Sequence, residues 1–333
     1  MSHFGIFASL AFVLEALTTQ PAPPPGESRA RAGAPPVTAI AFAQDGRSAV
    51  LGSQDGIEQI AWPDLARGRR LGSPMPAVND LRFSPRGDVL AAGGGVPGEV
   101  GAVVALAWPG GETLWRMTIP GDVVHAVAWS PDGSRVACAG HDGKVMLLDA
   151  SAGRPKHTLE GHSRPVYAVL FTPDGVELVS AGGDGSLRVW SASTGKLLTV
   201  LENHTGPVRA LATSSRFPGS DGPGGPFIAS TGDDGTVRLW QPRIGRLVRF
   251  VRLPSAPLAL DWSSDGSRIV AAGKDGRLRA LDPSTIDVVG DAPAIDGWAH
   301  AVLVDPSSRF ALVGGEHGAI VSVQLSPAPK EKT

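Results

Sequence analysis

Two segments of the chain carry a histidine, a serine and an aspartate at similar spacing, which are the residue types of a nucleophilic triad. The two sets are His162, Ser180 and Asp184, and His204, Ser230 and Asp234. In hydrolases, the imidazole of such a set takes the serine proton while the carboxylate orients the imidazole. A tryptophan, Trp190 or Trp240, follows each aspartate by six residues. Whether these side chains perform catalysis or only hold a structure together depends on the elements that position them.

The length alone would suggest two ordinary domains, but closed all-β folds of this size are single units, and the repeat described below decides for one all-β unit. The chain has 333 residues, of which 42% are apolar and 19% charged, and its 43 glycines and 29 prolines suit many tight turns. The net charge is −2 and no run of lysine or arginine alternates with aromatics, so nucleic acid is not an expected partner. Cys138 is the only cysteine, which excludes an intramolecular disulfide and a cysteine-rich zinc site.

The main regularity of the sequence is a repeat of about 42 residues. Turns of the Asp-Gly type recur, and their glycines from Gly143 onward are separated by 42, 50, 41 and 42 residues. A glycine-rich insertion at residues 217–225, between the first and second strands of the fifth unit, accounts for the long interval. Short apolar runs between the turns predict buried strands, and each unit can bury its apolar face only against its neighbours. Seven units begin near Val37, Val78, Val124, Val166, Val208, Leu258 and Ala299.

An aromatic residue recurs near the end of the first strand of most units. These residues are Phe42, Phe83, Trp129, Phe171 and Trp262. A repeated aromatic could form a ligand cage, but a position inside stacked sheets favours packing between neighbouring units. We therefore predict that these side chains belong to the core.

The fourth repeat resembles the WD-repeat family of β-propellers, and the resemblance extends over about residues 37–325. The repeat contains Gly161-His162, a Pro-Asp-Gly turn, Ser180, Asp184-Gly185 and a final Trp190. The resemblance implies an all-β fold, a seven-bladed β-propeller of four-stranded antiparallel blades. It also implies that the histidine, serine, aspartate and tryptophan of each set form a hydrogen-bonded tetrad inside one blade. Such a network leaves no substrate cavity beside the serine, so catalysis is not expected there.

The other five units depart from the family pattern. Cys138 takes the serine position of the third unit, and leucine replaces the tryptophan in the third and sixth units. In the first two units, Trp62 and Trp108 stand one residue late, which would turn the indole toward the other face of the sheet. We expect these blades to depend on apolar packing, and we expect Cys138 to be a buried, inert thiol.

The two ends of the chain differ in composition from the repeats. Residues 1–26 contain an apolar stretch at residues 4–17 followed by a proline-rich segment, which is either a signal peptide or an apolar tail. The protein would be exported to the periplasm or the extracellular space in the first case and cytoplasmic in the second, with no stable membrane span. We assign residues 27–325 to the propeller and residues 326–333 to a disordered tail. Because propellers of this family borrow an outer strand from the far terminus, residues 27–32 are predicted to complete the seventh blade.

Two further patterns could bind a ligand but are interpreted structurally. His125, His141 and His300 are potential zinc ligands, yet His300 falls about four units after the other two, so a three-ligand zinc geometry is not expected. The segment at residues 93–101 is similar in composition to a phosphate-binding loop, but it lacks the Gly-Lys-Ser/Thr ending and a following helix. We predict a lengthened hairpin there, and neither a metal nor a cofactor.

In the WD-repeat fold, the loops before each first strand and between each second and third strand share one rim, which is the usual partner surface. The residues that the resemblance places on this rim are Gln54, Asn79, His125, His141, Tyr167, Arg209, Asp233, Lys274, Trp298, His300 and Glu316. Aromatic and arginine side chains around a channel mouth are common anchors of protein partners. We therefore expect a monomeric, non-enzymatic scaffold whose rim binds a protein or peptide.

The alternative function is a propeller enzyme, lactonase-like or quinone-dependent, with its site at the central channel. Such an enzyme needs polar side chains that converge on the inner strands. The inner strands here are mostly alanine, valine and leucine, with Asn79, Asp80 and Asp261 scattered among them. This pattern favours the scaffold.

Overall fold

A computed structural model describes residues 30, 33–72, 75–219, 222 and 225–325. They form seven antiparallel sheets around a channel, and each sheet follows chain order from its innermost strand outward. Two short 3₁₀ turns, Pro242–Ile244 and Glu316–Gly318, are the only helical elements of the described residues. The predicted seven-bladed, all-β propeller is confirmed.

The first three blades use twelve strands. Blade 1 contains β1 (Ala39–Phe42), β2 (Ser48–Ser53), β3 (Gly56–Ala61) and β4 (Arg67–Gly72). Blade 2 contains β5 (Val78–Phe83), β6 (Val89–Val96), β7 (Val100–Ala107) and β8 (Thr113–Pro120). Blade 3 contains β9 (Val124–Trp129), β10 (Arg135–Gly140), β11 (Val145–Asp149) and β12 (Pro155–Leu159).

The last four blades use the remaining strands. Blade 4 contains β13 (Val166–Phe171), β14 (Glu177–Gly182), β15 (Leu187–Ser191) and β16 (Leu197–Leu201). Blade 5 contains β17 (Val208–Thr213), β18 (Ile228–Gly232), β19 (Thr236–Gln241) and β20 (Arg246–Arg252). Blade 6 contains β21 (Pro257–Trp262), β22 (Ile269–Gly273), β23 (Arg277–Leu281) and β24 (Val288–Pro293). Blade 7 contains β25 (Ala299–Val304), β26 (Phe310–Gly315) and β27 (Ile320–Gln324).

Buried apolar side chains lie between neighbouring blades and join them into a ring. Between the first and last blades, Ile40 and Leu51 pack in one cluster with Leu312 and Ile320. The backbone N–H of Val37 also donates to the carbonyl of Gly315 at 3.0 Å. Because blades 1 and 7 share both a core and a backbone hydrogen bond, the ring is closed.

The repeat analysis located most inner strands within two residues. Five of the seven predicted starting positions are the first residues of strands, whereas β1 begins at Ala39 and β21 at Pro257. The recurring aromatics are the last residues of β1, β5, β9, β13 and β21. Phe171 and Trp262 are buried, and all five belong to or pack against the clusters between blades. The insertion at residues 217–225 lies between β17 and β18, and residues 93–101 fall in the β6–β7 hairpin.

Predictions for the chain ends fall outside the described residues. The apolar segment at residues 4–17 and the tail at residues 326–333 are not described, and of residues 27–32 only Ala30 is. Among the described residues, blade 7 has three strands. The described part of the chain contains no helix of the length and apolarity that a membrane crossing requires.

Candidate functional site

In blades 4 and 5, the two histidine, serine and aspartate sets lie inside the sheets and form closed networks. In blade 4, His162 Nε2 is 2.8 Å from Ser180 Oγ, and His162 Nδ1 is 3.0 Å from Asp184 Oδ2. Trp190 Nε1 donates to Ser180 Oγ at 2.9 Å. The Ser180 side chain is completely buried, so no substrate can reach its hydroxyl.

Blade 5 repeats this network with additional members. His204 bonds Ser230 Oγ at 2.7 Å and Asp234 Oδ2 at 3.0 Å, and Trp240 Nε1 donates to Ser230 Oγ at 2.8 Å. Arg238 adds an ion pair to Asp234 at 3.3 Å. The two blades therefore share one arrangement of side chains, and in blade 5 the guanidinium of Arg238 adds an ion pair to it.

The protonation of these networks follows from their partners. Burial lowers the pKa of His162 and of His204, and this effect outweighs the opposing charges of Asp184 and Asp234. Burial alone would raise the pKa of Asp184, but the charge of His162 and several hydrogen bonds bring that pKa below its usual value. Because an ionised carboxylate only accepts, His162 Nδ1 donates to Asp184, and Nε2 then accepts from the serine hydroxyl.

Three of the blades without tetrads use other side-chain contacts. In blade 6, the guanidinium of Arg279, itself nearly buried, donates to Asp275 Oδ2 at 2.6 Å. In blades 1 and 2 the displaced tryptophans pack edge-on against the recurring aromatics, Trp62 on Phe42 at 4.9 Å and Trp108 on Phe83 at 5.0 Å between ring centroids.

Cys138 occupies the serine position of blade 3 and is buried. Burial raises the pKa of its thiol to about 12, with a smaller contribution from the nearby carboxylates of Asp142 and Asp122. A thiol with so high a pKa carries almost no thiolate at neutral pH, which agrees with the expected inert role.

Around one mouth of the channel, side chains from five blades touch in sequence. On blade 3, His125 Nε2 lies 3.0 Å from His141 Nδ1. The His125 ring lies tilted against the ring of Tyr167 on blade 4, with 5.1 Å between the centroids. Tyr167 also contacts the guanidinium of Arg209, which lies 4.5 Å from the centroid of the tyrosine ring. Arg209 in turn donates to both carboxylate oxygens of Asp233 on blade 5. Histidine, tyrosine, arginine and aspartate thus form one connected row.

The row continues onto blades 6 and 7. Lys274 Nζ lies 4.0 Å from Asp233 Oδ1 and 5.3 Å from the ring centroid of Trp298. Trp298 is 6.0 Å from His300 between ring centroids, and 45% of its surface is exposed. We call this row the mouth belt, and its members are His125, His141, Tyr167, Arg209, Asp233, Lys274, Trp298 and His300.

The remaining predicted rim residues are placed differently. Asn79 lines the channel, but its side-chain amide donates to the carbonyl of Val124 at 2.9 Å, which fixes it between blades 2 and 3. Gln54 is exposed in the β2–β3 loop of blade 1, apart from the belt. Glu316 lies close enough to His300 for its charge to raise the pKa of that imidazole, although burial dominates and leaves the pKa below its usual value.

The charge of the belt at neutral pH resides in few groups. Burial, together with His141 and Arg209, lowers the pKa of His125 to about 4, so this imidazole is neutral. The hydrogen bonds to Asp233 raise the pKa of Arg209, which therefore stays charged. Arg209 and Lys274 share the single carboxylate of Asp233. The belt thus combines aromatic rings with two cations that share one carboxylate.

The channel is a cavity of about 340 Å³ that begins at the belt, and its wall combines small apolar side chains with polar and charged ones. Asp80 accepts from the backbone N–H of Val127, and Asp261 accepts from that of Val304. Burial raises the pKa of Asp261 to about 6. Arg82 also lines the cavity, 3.6 Å from Asp80.

The three histidines are not brought together, since His300 lies on blade 7 and the other two lie on blade 3. Among the described residues, no three His, Cys, Asp or Glu side chains converge as they would around a metal ion.

Sequence reasoning missed two sets of residues. Arg82 and Asp122 carry charge at the channel and the rim, and nothing in the repeat marks either. Arg279 was missed although a recurrent arginine at the centre of the third strand, Arg188, Arg238 and Arg279, was visible in the sequence. Aligning that position across units would have indicated a charged partner for the turn aspartates.

Comparisons with known proteins agree with this geometry. A family model described as WD domain, G-beta repeat matches residues 153–191, 195–241 and 251–282. A second model, described as anaphase-promoting complex subunit 4 WD40 domain, matches residues 103–170.

Similar individual proteins match over part of their length. WD repeat-containing protein VIP3 of Arabidopsis thaliana is 31% identical over 141 residues, which are 39% of this chain and 44% of that protein. Telomerase protein component 1 of Rattus norvegicus is 33% identical over 122 residues, 36% of this chain and 4% of that protein. Periodic tryptophan protein 2 of Saccharomyces cerevisiae is 29% identical over 91 residues, 27% of this chain and 10% of that protein. The chain therefore spans less than half the length of these relatives.

Proposed function

Because this chain belongs to the WD-repeat family of β-propellers, we propose that it is a non-enzymatic scaffold that binds a protein or peptide partner at the mouth belt. The observation that carries this proposal is the continuity of the belt across blades 3 to 7. Its aromatic and cationic side chains already hold one another in place. A partner that docks there loses little side-chain entropy on the propeller's side, which favours binding.

Trp298 is the strongest anchor of the proposed surface. Its indole is 45% exposed, yet Lys274 and His300 contact it and restrict its orientation. Large aromatic and arginine side chains supply most of the binding free energy in many protein interfaces. Tyr167 and Arg209 provide a second such pair at 4.5 Å on the neighbouring blades.

The names of similar proteins support a role in an assembly. One relative is named a protein component of telomerase, and one matching domain is named for a subunit of the anaphase-promoting complex. Those assemblies are properties of those proteins. For this chain, the names support only the general role of a subunit that contacts other proteins.

The test is affinity capture from native lysate of the source organism, with partners identified by mass spectrometry. We expect Tyr167→Ala, Arg209→Ala and Trp298→Ala each to abolish capture without lowering Tm. Leu114→Ala is the control, because Leu114 is 55% exposed near the start of the outer strand β8, beside the β7–β8 turn on the face opposite the rim. Unchanged capture by all three rim variants would refute the assignment of the partner to the belt. Metal analysis and cofactor absorbance of the purified protein test the enzymatic alternative.

A further inference from the structure

In blades 4 and 5, the imidazole of the tetrad histidine lies beside the glycine that ends the second strand. In blade 4 this glycine is Gly182, and a methyl group added to it would lie 2.7 Å from His162 Nδ1 and 3.0 Å from Asp184 Oδ1. Blade 5 has the same arrangement around Gly232. At this place an imidazole therefore faces the carboxylate of the turn aspartate.

In blade 3 a second carboxylate takes the place of the imidazole. The corresponding glycine is Gly140, and a methyl group there would lie 2.6 Å from Asp122 Oδ2 and 2.7 Å from Asp142 Oδ1. The two carboxylates thus face each other across the glycine where blades 4 and 5 pair an acid with a base. We call Asp122 and Asp142 the blade 3 acid pair.

The acid pair has no cation of its own. Asp122 is only 8% exposed, and its carboxylate accepts no hydrogen bond from the described residues. Asp142 accepts a bond from the backbone N–H of Lys144 at 2.9 Å. The ammonium group of Lys144 pairs instead with Glu160 at 3.1 Å. Two like charges with one member nearly buried are unfavourable unless a positive group joins them.

The electrostatics of the whole face point to the same kind of group. In the described rim loops, the only lysines and arginines are Lys144, Arg164 and Lys274, whereas every blade contributes at least one carboxylate. The loops of the opposite face contain a lysine or an arginine in every blade, beside carboxylates in six of the seven among the described residues. The rim loops are therefore the more acidic of the two sets. Strand arginines neutralise part of this charge, as Arg209 does for Asp233 and Arg279 for Asp275, and the remaining carboxylates attract basic partners to the rim.

We infer that the partner presents a basic segment to the rim and places a lysine or arginine side chain between Asp122 and Asp142. This inference rests on the proposed function and names the chemistry of the partner. The acid pair adjoins the mouth belt, because Asp122 lies shortly before His125 in the chain and Asp142 directly follows His141. One peptide can therefore contact the aromatic belt and the acid pair together.

The experiment measures fluorescence anisotropy of a labelled lysine-rich glycine/serine peptide with the full-length protein at low ionic strength. A matched peptide with glutamate in place of lysine is the control for charge. We expect saturable binding of the lysine peptide only, weakened by added salt, and weakened about tenfold by Asp122→Asn. Asp287→Asn removes one exposed carboxylate from the opposite face and should leave the affinity unchanged.

A second variant separates the acid pair from general acidity of the rim. Asp122→His replaces one carboxylate of the pair by an imidazole, and we expect it to weaken peptide binding as much as Asp122→Asn does. Equal binding by wild type and both variants would overturn the inference. Saturable binding of Ca²⁺ alone that Asp122→Asn abolishes would also overturn it, because the pair would then hold a metal ion.

The outcome is distinguishable from failure of the proposed function. If the rim variants Trp298→Ala and Arg209→Ala abolish capture of the natural partner but Asp122→Asn and added salt do not affect it, the scaffold role stands and the basic-partner inference is wrong. If no rim variant affects capture, the proposed function itself is wrong.

Discussion

Blades 4 and 5 hold their tryptophans in polar networks, whereas blades 1 and 2 pack theirs against aromatic rings. In the first pair, a buried serine joins histidine and tryptophan, and the histidine extends the network to an aspartate. In the second pair, the tryptophans Trp62 and Trp108 lie edge-on against phenylalanines and form no tetrad. Both arrangements join a tryptophan of the third strand, or of the turn after it, to a side chain of the first or second strand in the same blade.

The comparison indicates that a blade can lose the whole tetrad and pack in another way. Removal of a single member, by contrast, would leave its partners unsatisfied. A buried polar network stabilises a fold only when every member has its partner, since an unpaired buried group is costly. Blades 1 and 2 have an apolar contact, and blade 6 has the ion pair of Arg279 with Asp275. Blade 3 alone keeps the turn aspartate while a second acid replaces its base, and this is the place where we infer that a partner supplies the positive charge.

The largest expected effect is the loss of a tetrad tryptophan. Trp240→Ala should lower the free energy of unfolding by about 3–5 kcal/mol, because removal of this fully buried indole leaves a cavity and removes the donor to the Ser230 hydroxyl. Trp62→Ala should cost less, because Trp62 is half-buried and donates no such bond. Urea unfolding of both variants measures the difference. Equal losses would show that the two arrangements contribute alike.

A smaller effect is expected from the serine position. Ser230→Ala should cost about 1–3 kcal/mol, because His204 and Trp240 each lose a buried partner. Cys138→Ser places a hydroxyl at the same position of blade 3, where neither a histidine nor a tryptophan can bond it. We therefore expect this substitution to destabilise the protein as well, although it restores the family residue. A gain in Tm for Cys138→Ser would contradict the view that the tetrad acts only when complete.

Acidification should weaken the tetrads specifically. The pKa values of His162 and His204 are lowered in the folded protein, so below about pH 6.5 the unfolded chain binds protons that the folded state does not. Stability contributed by the neutral imidazoles is therefore lost as the pH falls from neutrality toward 5. We expect His204→Gln to be less stable than wild type at pH 7.5 but to lose less stability on acidification. Parallel pH profiles would exclude this role of the histidine.

The smallest expected effect concerns Asp261 on the inner strand β21. It changes how steeply the stability of the protein depends on pH. The pKa of Asp261 is raised to about 6, so the folded state binds a proton more readily than the unfolded chain, and acidification through pH 6 adds stability. This contribution opposes that of the histidines and masks it. Asp261→Asn should keep the bond from Val304, remove the opposing contribution and make stability fall more steeply between pH 7 and 5. Thermal unfolding across that range tests the expected slope, and a shallower profile would contradict it.

Much of the fold was predictable because each repeat carries its own signals. The glycine turns and apolar runs located the strands, and the aromatics at the ends of β1 and β13 identified side chains between blades. The residues of both networks were also predictable from the family pattern. The contacts of the mouth belt were not, because they depend on the angle between neighbouring blades, which no single repeat encodes. Asp122 was missed since it stands closer to its strand than His162 does, and an alignment by spacing passes over it.

The closure of the ring through Val37 and Gly315 has a consequence during synthesis of the chain. The belt begins on blade 3 and ends at Trp298 and His300, so its last members leave the ribosome after most of the propeller has emerged. Blade 1 meanwhile exposes the apolar side that Leu312 and Ile320 will cover. A nascent chain thus lacks the complete belt until its final blade has docked, so the proposed binding surface exists only once the ring is closed.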